Sequence, residues 1–141
     1  MSAALLSDAV SLLHSGGFTC VLCDETRVLT DDRRGIVSLL ERVEAGEDLR
    51  GLCCADKIIG RAAAMLLILG GASAVHGDVM SAGAKALLEE HGVTVSYDTL
   101  TERIINRKGD GPCPMEQAVA GLNDPAAAPD VLRAALERLK Q

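Results

Sequence analysis

The stretch from Leu52 to Gly71, LCCADKIIGRAAAMLLILGG, constrains the fold more than any other part of this chain. Leu52, Cys53 and Cys54 make a short apolar run suited to a buried strand, and Asp56 follows where a helix N-cap would accept unpaired backbone N–H groups. The pattern predicts a helix from about Lys57, closed by Gly70 and Gly71. Gly60 and the run Ala62, Ala63, Ala64 leave one side of its first turns nearly bare, so backbone, sheet or a ligand can come close there. On such a helix Lys57 and Arg61 share a face, and beside a positively polarised N-terminus they would make a small anion site. The plainer alternative is that Asp56 only caps, the two cations lie in solvent and the alanines only pack.

The rest of the chain can be read around this unit. Leu5, Leu6, Ala9, Val10 and Leu13 recur at helical spacing up to Gly16 and Gly17, predicting an amphipathic helix over 3–15. Phe18 to Leu22 and Arg27 to Thr30 read as a hairpin. Asp31 or Asp32 would then cap a helix carrying Ile36, Leu39, Leu40 and Val43 inward. After the central helix, Ala72 to His76 reads as a strand, Gly77 and Asp78 as a turn, and Ser81 to His91 as a helix. Val93 to Ser96 reads as a further strand.

The order from Leu52 to Ser96 is therefore β, α, β, α, β, which implies parallel strands with right-handed crossovers. The expected fold is α/β, a three-layer sandwich in which the hairpin adds an antiparallel edge to a βαβαβ parallel part. Ligands in such sheets collect beyond the carboxyl ends of the parallel strands, where Asp56, Lys57, Gly77, Asp78 and Ser81 are expected. Farther on, Asn106 to Gly111 reads as a polar loop, Pro112 to Glu116 opens a short helix, and Val131 to Leu139 carries the pattern of a last amphipathic helix.

Composition narrows the function classes. With 141 residues the chain fits one domain spanning 1–141, able to bury about two thirds of its unfolded surface. A formal charge of -6 argues against nucleic acid or an anionic membrane as a routine partner. Phe18 and Tyr97 are its only aromatics, too few for a base-stacking platform. No apolar run is long enough to span a bilayer, and five cysteines in a chain that can build its own core point to free thiols, so a cytoplasmic protein is expected.

Taken together, Asp56-Lys57, Gly60-Arg61-Ala62-Ala63-Ala64, Ser81, Ile105-Asn106-Arg107 and Cys113-Pro114-Met115-Glu116 resemble a small family of uncharacterised prokaryotic proteins. It is the one numbered eighteen-ninety-three among the domains of unknown function, and the likeness runs from about Leu5 to Val119. The resemblance implies a cytidine-deaminase-like fold, a helix, a hairpin and a βαβαβ core, and no known reaction. Deaminases hold zinc through an H-x-E or C-x-E motif opening one helix and P-C-x-x-C opening the next. Here the corresponding stretches read Asp31-Asp32-Arg33-Arg34-Gly35 and Ala55-Asp56-Lys57, while His76-Gly77-Asp78 and Pro112-Cys113-Pro114-Met115-Glu116 imitate the motifs on other elements. No zinc and no other cofactor is expected.

Among the thiols, Cys20 and Cys23 should point to opposite faces of a strand, and Cys53 and Cys54 likewise. His14, His76 and His91 lack spaced partners and read as structural or solvated. Cys113 is the candidate nucleophile, at a helix start near Arg107 and Lys108. Its alternative is a weak cap whose backbone N–H Glu116 reaches back to satisfy. The expected ligand-binding set is Asp56, Lys57, Gly60, Arg61, Ser81, Asn106, Arg107 and Glu116, around a zinc-free pocket for a small molecule, anionic or nucleotide-like. The competing expectation is a regulatory or redox-sensing module without chemistry, and self-association stays open.

Overall fold

The computed structural model describes residues 2–33, 35–105, 109 and 111–140. In chain order the elements are α1 (Ser2–Gly16), β1 (Cys20–Cys23), β2 (Val28–Asp31), α2 (Val37–Glu44), β3 (Cys53–Ile59), α3 (Arg61–Gly70), β4 (Ala74–Ser81), α4 (Ala82–Glu90) and β5 (Thr94–Thr101). A short α5 (Pro114–Val119), one 3-10 turn (Pro125–Ala127) and α6 (Ala128–Leu139) follow. Among the described residues the strands form one mixed sheet in the order β2-β1-β3-β4-β5. The hairpin is antiparallel to β3, and β3, β4 and β5 run parallel, as the α/β reading expects.

Two cores flank the sheet. On one face Leu6, Ala9 and Leu13 of α1 pack on Val21, Cys23, Cys53, Ala55 and Ala74. On the other, α3 is buried almost all round, from Ala62 to Leu67, because it lies between the sheet, its neighbours α2 and α4, and the C-terminal pair α5 and α6. That position explains why its sequence carries no polar stripe. Each fully buried leucine there contributes about 1.5–3 kcal/mol relative to exposure. Cys20 and Cys54 fall in the α3-side core, Cys23 and Cys53 in the α1-side core, so both pairs alternate as strand geometry requires.

Several local expectations are corrected. Asp56 is not an N-cap and Lys57 does not start a helix: both lie in β3, α3 begins at Arg61, and its cap position is Gly60. Gly77 and Asp78 do not turn the chain, since β4 runs through them to Ser81, and β5 likewise continues to Thr101. Neither Asp31 nor Asp32 caps α2, whose cap residue is Ile36 with no side-chain hydrogen bond; Asp31 ends β2 and pairs with Arg33. The last residues of these strands are polar and turn-like, yet the sheet continues past the apolar core and carries them in register.

The strands also change face in this extension. Cys54 and Ile59 share the α3-side core although an odd separation should set them on opposite faces, and so do Val75 and Met80. The reversal falls between the pairs Asp56↔Gly77 and Ile58↔Val79. A Cβ on Gly77 would stand 2.9 Å from the Val79 carbonyl oxygen and 3.0 Å from Ile59, so glycine is required at the kink.

Candidate functional site

Two constellations at the carboxyl end of the parallel strands concentrate charge. The first is the start of α3. The Glu116 carboxylate, delivered by α5, accepts hydrogen bonds from the backbone N–H groups of Arg61 at 2.6 Å and Ala62 at 2.8 Å. It fills the place that a Cβ of Gly60 would take. The bare surface expected around Gly60 is thus real, and the anion it admits is the chain's own. Glu116 therefore does not fold back on the Cys113 backbone in a capping box. Arg61 Nη2 donates to the Leu122 carbonyl, and the Arg61 stem lies against Gly83 at the start of α4. Ser81 caps α4 by accepting from Ala84 N–H at 3.1 Å. Arg61, Gly60 and Glu116 come together, Ser81 serves its own helix, and Lys57 is an exposed strand residue.

The second constellation lies on the other face, under the last turn of α1. His14 Nε2 stands 2.9 and 3.0 Å from the two carboxylate oxygens of Asp78. His76 Nε2 is 3.0 Å from Asp78 Oδ1, and His76 Nδ1 is 2.7 Å from Ser96 Oγ. The side chains open progressively to solvent, from His76 at 6% exposure through Asp78 at 25% to His14 at 49%. Burial alone would raise the Asp78 carboxyl, but hydrogen bonds from His14 and His76 and their charges outweigh it and hold the group below the ordinary value. The register sets Asp78 beside Lys57 on β3 and beside Asp98 on β5. Donor atoms of His14, Asp78 and Asp98 all lie within 4.8 Å of one another. Since α1 packs on β1, β3 and β4, the row opens towards β5, most of whose residues are exposed.

Asp56 faces the α3 side, against Cys20. Burial pushes its carboxyl up to about 7, against hydrogen bonds from Ile58 N–H and Cys20 that favour the ionised form. Cys20, Cys23, Cys53 and Cys54 are buried, and burial raises the Cys23 thiol. The Cys54 thiol is also raised, first through its hydrogen bond with Cys20 and then by burial. Cys113 is half-buried at the cap of α5, with Pro114 in the first turn, and packs against the α3-side core. Asn106 and Arg107, expected to orient a ligand, and Lys108 lie outside the described residues. Two shallow clefts are lined elsewhere: one of about 320 Å³ by Arg33, Ser38 and Glu41 among others, one of about 310 Å³ between α5 and α6.

His14 and His76, expected to lack spaced partners, both bond Asp78. A signal was present. His76-x-Asp78 and Ser96-x-Asp98 each place two polar side chains on one face of a strand, and adjacent parallel strands bring the two pairs together. The contribution of His14, 64 residues before Asp78, carries no local sign.

The chain matches the family model described as Domain of unknown function (DUF1893) over residues 8–136. Its fold is similar to the crystal structure of a DUF1893 family protein from Thermotoga maritima, with a TM-score of 0.81 and 25% sequence identity. That match covers 96% of this chain and 90% of the other. No curated protein matches the chain.

Proposed function

The chain belongs to the DUF1893 family, whose description assigns no function, and we propose that it binds a small anionic molecule at the carboxyl end of β3, β4 and β5, on the α1 face. The observation that carries this reading is the convergence of two imidazoles on the Asp78 carboxylate in a row that stays open at β5. Titratable groups clustered in this way beyond the end of a parallel sheet are characteristic of working sites. In this reading Lys57 supplies the exposed cation for the ligand's negative group, while Asp78 and His14 take polar contacts. The start of α3 plays a structural part, because Glu116 supplies its anion. Arg61, Ser81 and Gly60 support the architecture around that contact.

Among the described residues no helix is long and apolar enough to cross a membrane. We infer a cytoplasmic location from the odd count of five cysteines in a chain that builds its own apolar core. A redox-sensing role is less well supported, since four of those thiols are buried.

Titration of the 15N-labelled chain with inorganic phosphate and with adenosine monophosphate tests the reading, with and without added diamagnetic Zn2+. Shifts confined to His14, Lys57, Asp78 and Asp98, and weakened by Lys57→Ala, are expected. Shifts centred on Arg61 and Ala62, or on the α5–α6 cleft, would move the site.

A further inference from the structure

We propose that the open end of this row holds one divalent first-row transition ion, ligated by His14 Nε2 and by one carboxylate oxygen each of Asp78 and Asp98. The inference rests on the reading above and names what the site presents to its ligand. The three donors come from α1, β4 and β5, and their ligand atoms already lie within 4.8 Å of one another. On an ion with ligands at about 2.1 Å, two donors at right angles stand about 3.0 Å apart. His14 Nε2 stands 2.9 and 3.0 Å from the Asp78 oxygens, so this pair has the spacing of neighbouring ligands. The ion would take the place of the Nε2 proton. Asp98 reaches the same point from the next strand.

His76 supplies the layer behind. With its Nδ1 on the Ser96 hydroxyl at 2.7 Å, its Nε2 is left to donate to Asp78 Oδ1 at 3.0 Å, which fixes the carboxylate that would ligate. One imidazole and two carboxylates suit ions from Mn2+ to Zn2+ rather than thiolate-seeking ones. Three protein donors leave coordination positions for the oxygens of an anionic molecule, towards the side that α1 does not cover. Lys57, an exposed residue level with Asp78 on the neighbouring strand, would meet the rest of that molecule's charge. This set differs from the deaminase zinc set, whose ligands open two helices, so the lack of those motifs does not bear on it.

The test is calorimetric titration of Mn2+, and separately of Zn2+, into the full chain after chelator treatment and dialysis. One saturable equivalent is expected, weakened about tenfold or more by His14→Ala and by Asp98→Asn. Asp130→Asn on α6 should leave it unchanged. Asp98 is exposed on an edge strand, so its variant should keep the wild-type circular dichroism and remain interpretable. Weak uptake at several sites, or one-equivalent binding that both His14→Ala and Asp98→Asn leave untouched, overturns the proposal. Phosphate or adenosine monophosphate shifts at Lys57 and Asp78 without any metal uptake would sink the ion and keep the binding site. Metal uptake at His14 and Asp98 with no response to either anion would do the reverse.

Discussion

The start of α3 and the end of α1 lie on opposite faces of one sheet, and each holds a side chain of the kind its helix dipole favours, a carboxylate at the first and an imidazole at the second. At α3 the positive end receives the Glu116 carboxylate, held by two backbone N–H groups and pressed against Gly60. At α1 the negative end carries His14, which bonds Asp78 and is itself half-exposed. The first contact is complete within the chain. In the second, His76, Ser96 and Asp78 satisfy one another while His14, Asp98 and Lys57 face outward. A helix terminus of suitable charge therefore does not by itself make a ligand site; what matters is whether the protein has already supplied the partner.

The sharpest way to break this contrast is at Glu116. Glu116→Ala leaves two N–H groups and the positive end of a buried helix without their anion, and should cost about 3 kcal/mol in urea denaturation. Gly60→Ala should destabilise by displacing the same carboxylate, and the double variant should cost less than the sum of the two. Additive losses would show that Glu116 and Gly60 act separately.

Asp56 gives the next effect and fixes its sign. Its carboxyl is pushed up to about 7 in the folded chain, against ~3.9 in an unfolded one. Between these values the folded state holds the extra proton. Stability on this account is greatest below about pH 4, falls as pH rises through 7 and then levels. The full gap corresponds to ~4 kcal/mol, and partial solvent exposure reduces the expected loss to about 2 kcal/mol. Stability measured from pH 4 to 8 should show this slope in the wild type and lose it in Asp56→Asn. Parallel curves would contradict the assignment.

At the open end the expected costs are small. His14→Ala removes a half-exposed pair and should cost under about 1 kcal/mol, and Lys57→Ala about 0.5 kcal/mol or less. Losses near that of Glu116→Ala would make the row a structural network. The smallest effect concerns Cys113, the half-buried thiol at the α5 cap. Timed alkylation read by peptide mass spectrometry should label it ahead of the four buried strand cysteines. Equal labelling would reduce it to a capping residue.

The sequence was most informative where one local period decides the outcome. Alternation placed Cys20 against Cys23 and Cys53 against Cys54 correctly, and the apolar run from Ala62 followed by Gly70 and Gly71 marked the body and the end of α3. It misled where polar residues continue a strand. Asp56-Lys57 and Gly77-Asp78 have cap and turn chemistry, yet pairing with neighbouring strands holds them extended in the sheet. Gly77 marks the kink rather than a chain reversal. The closing of α3 by Glu116 was out of local reach, because donor and acceptor lie 55 residues apart. His14 reaches Asp78 only because α1 runs over β4, a consequence of tertiary packing.

The central claim is that the outward-facing row under α1, and not the start of α3, is where this protein meets its ligand. Substoichiometric Mn2+ added to the 15N-labelled chain tests it directly, since a bound paramagnetic ion broadens only nearby amide signals. The account predicts broadening that is strongest at His14, Asp78 and Asp98 and distinctly weaker at Arg61 and Ala62, across the sheet. Broadening centred on Arg61 and Ala62, or spread evenly over the acidic surface, would contradict it.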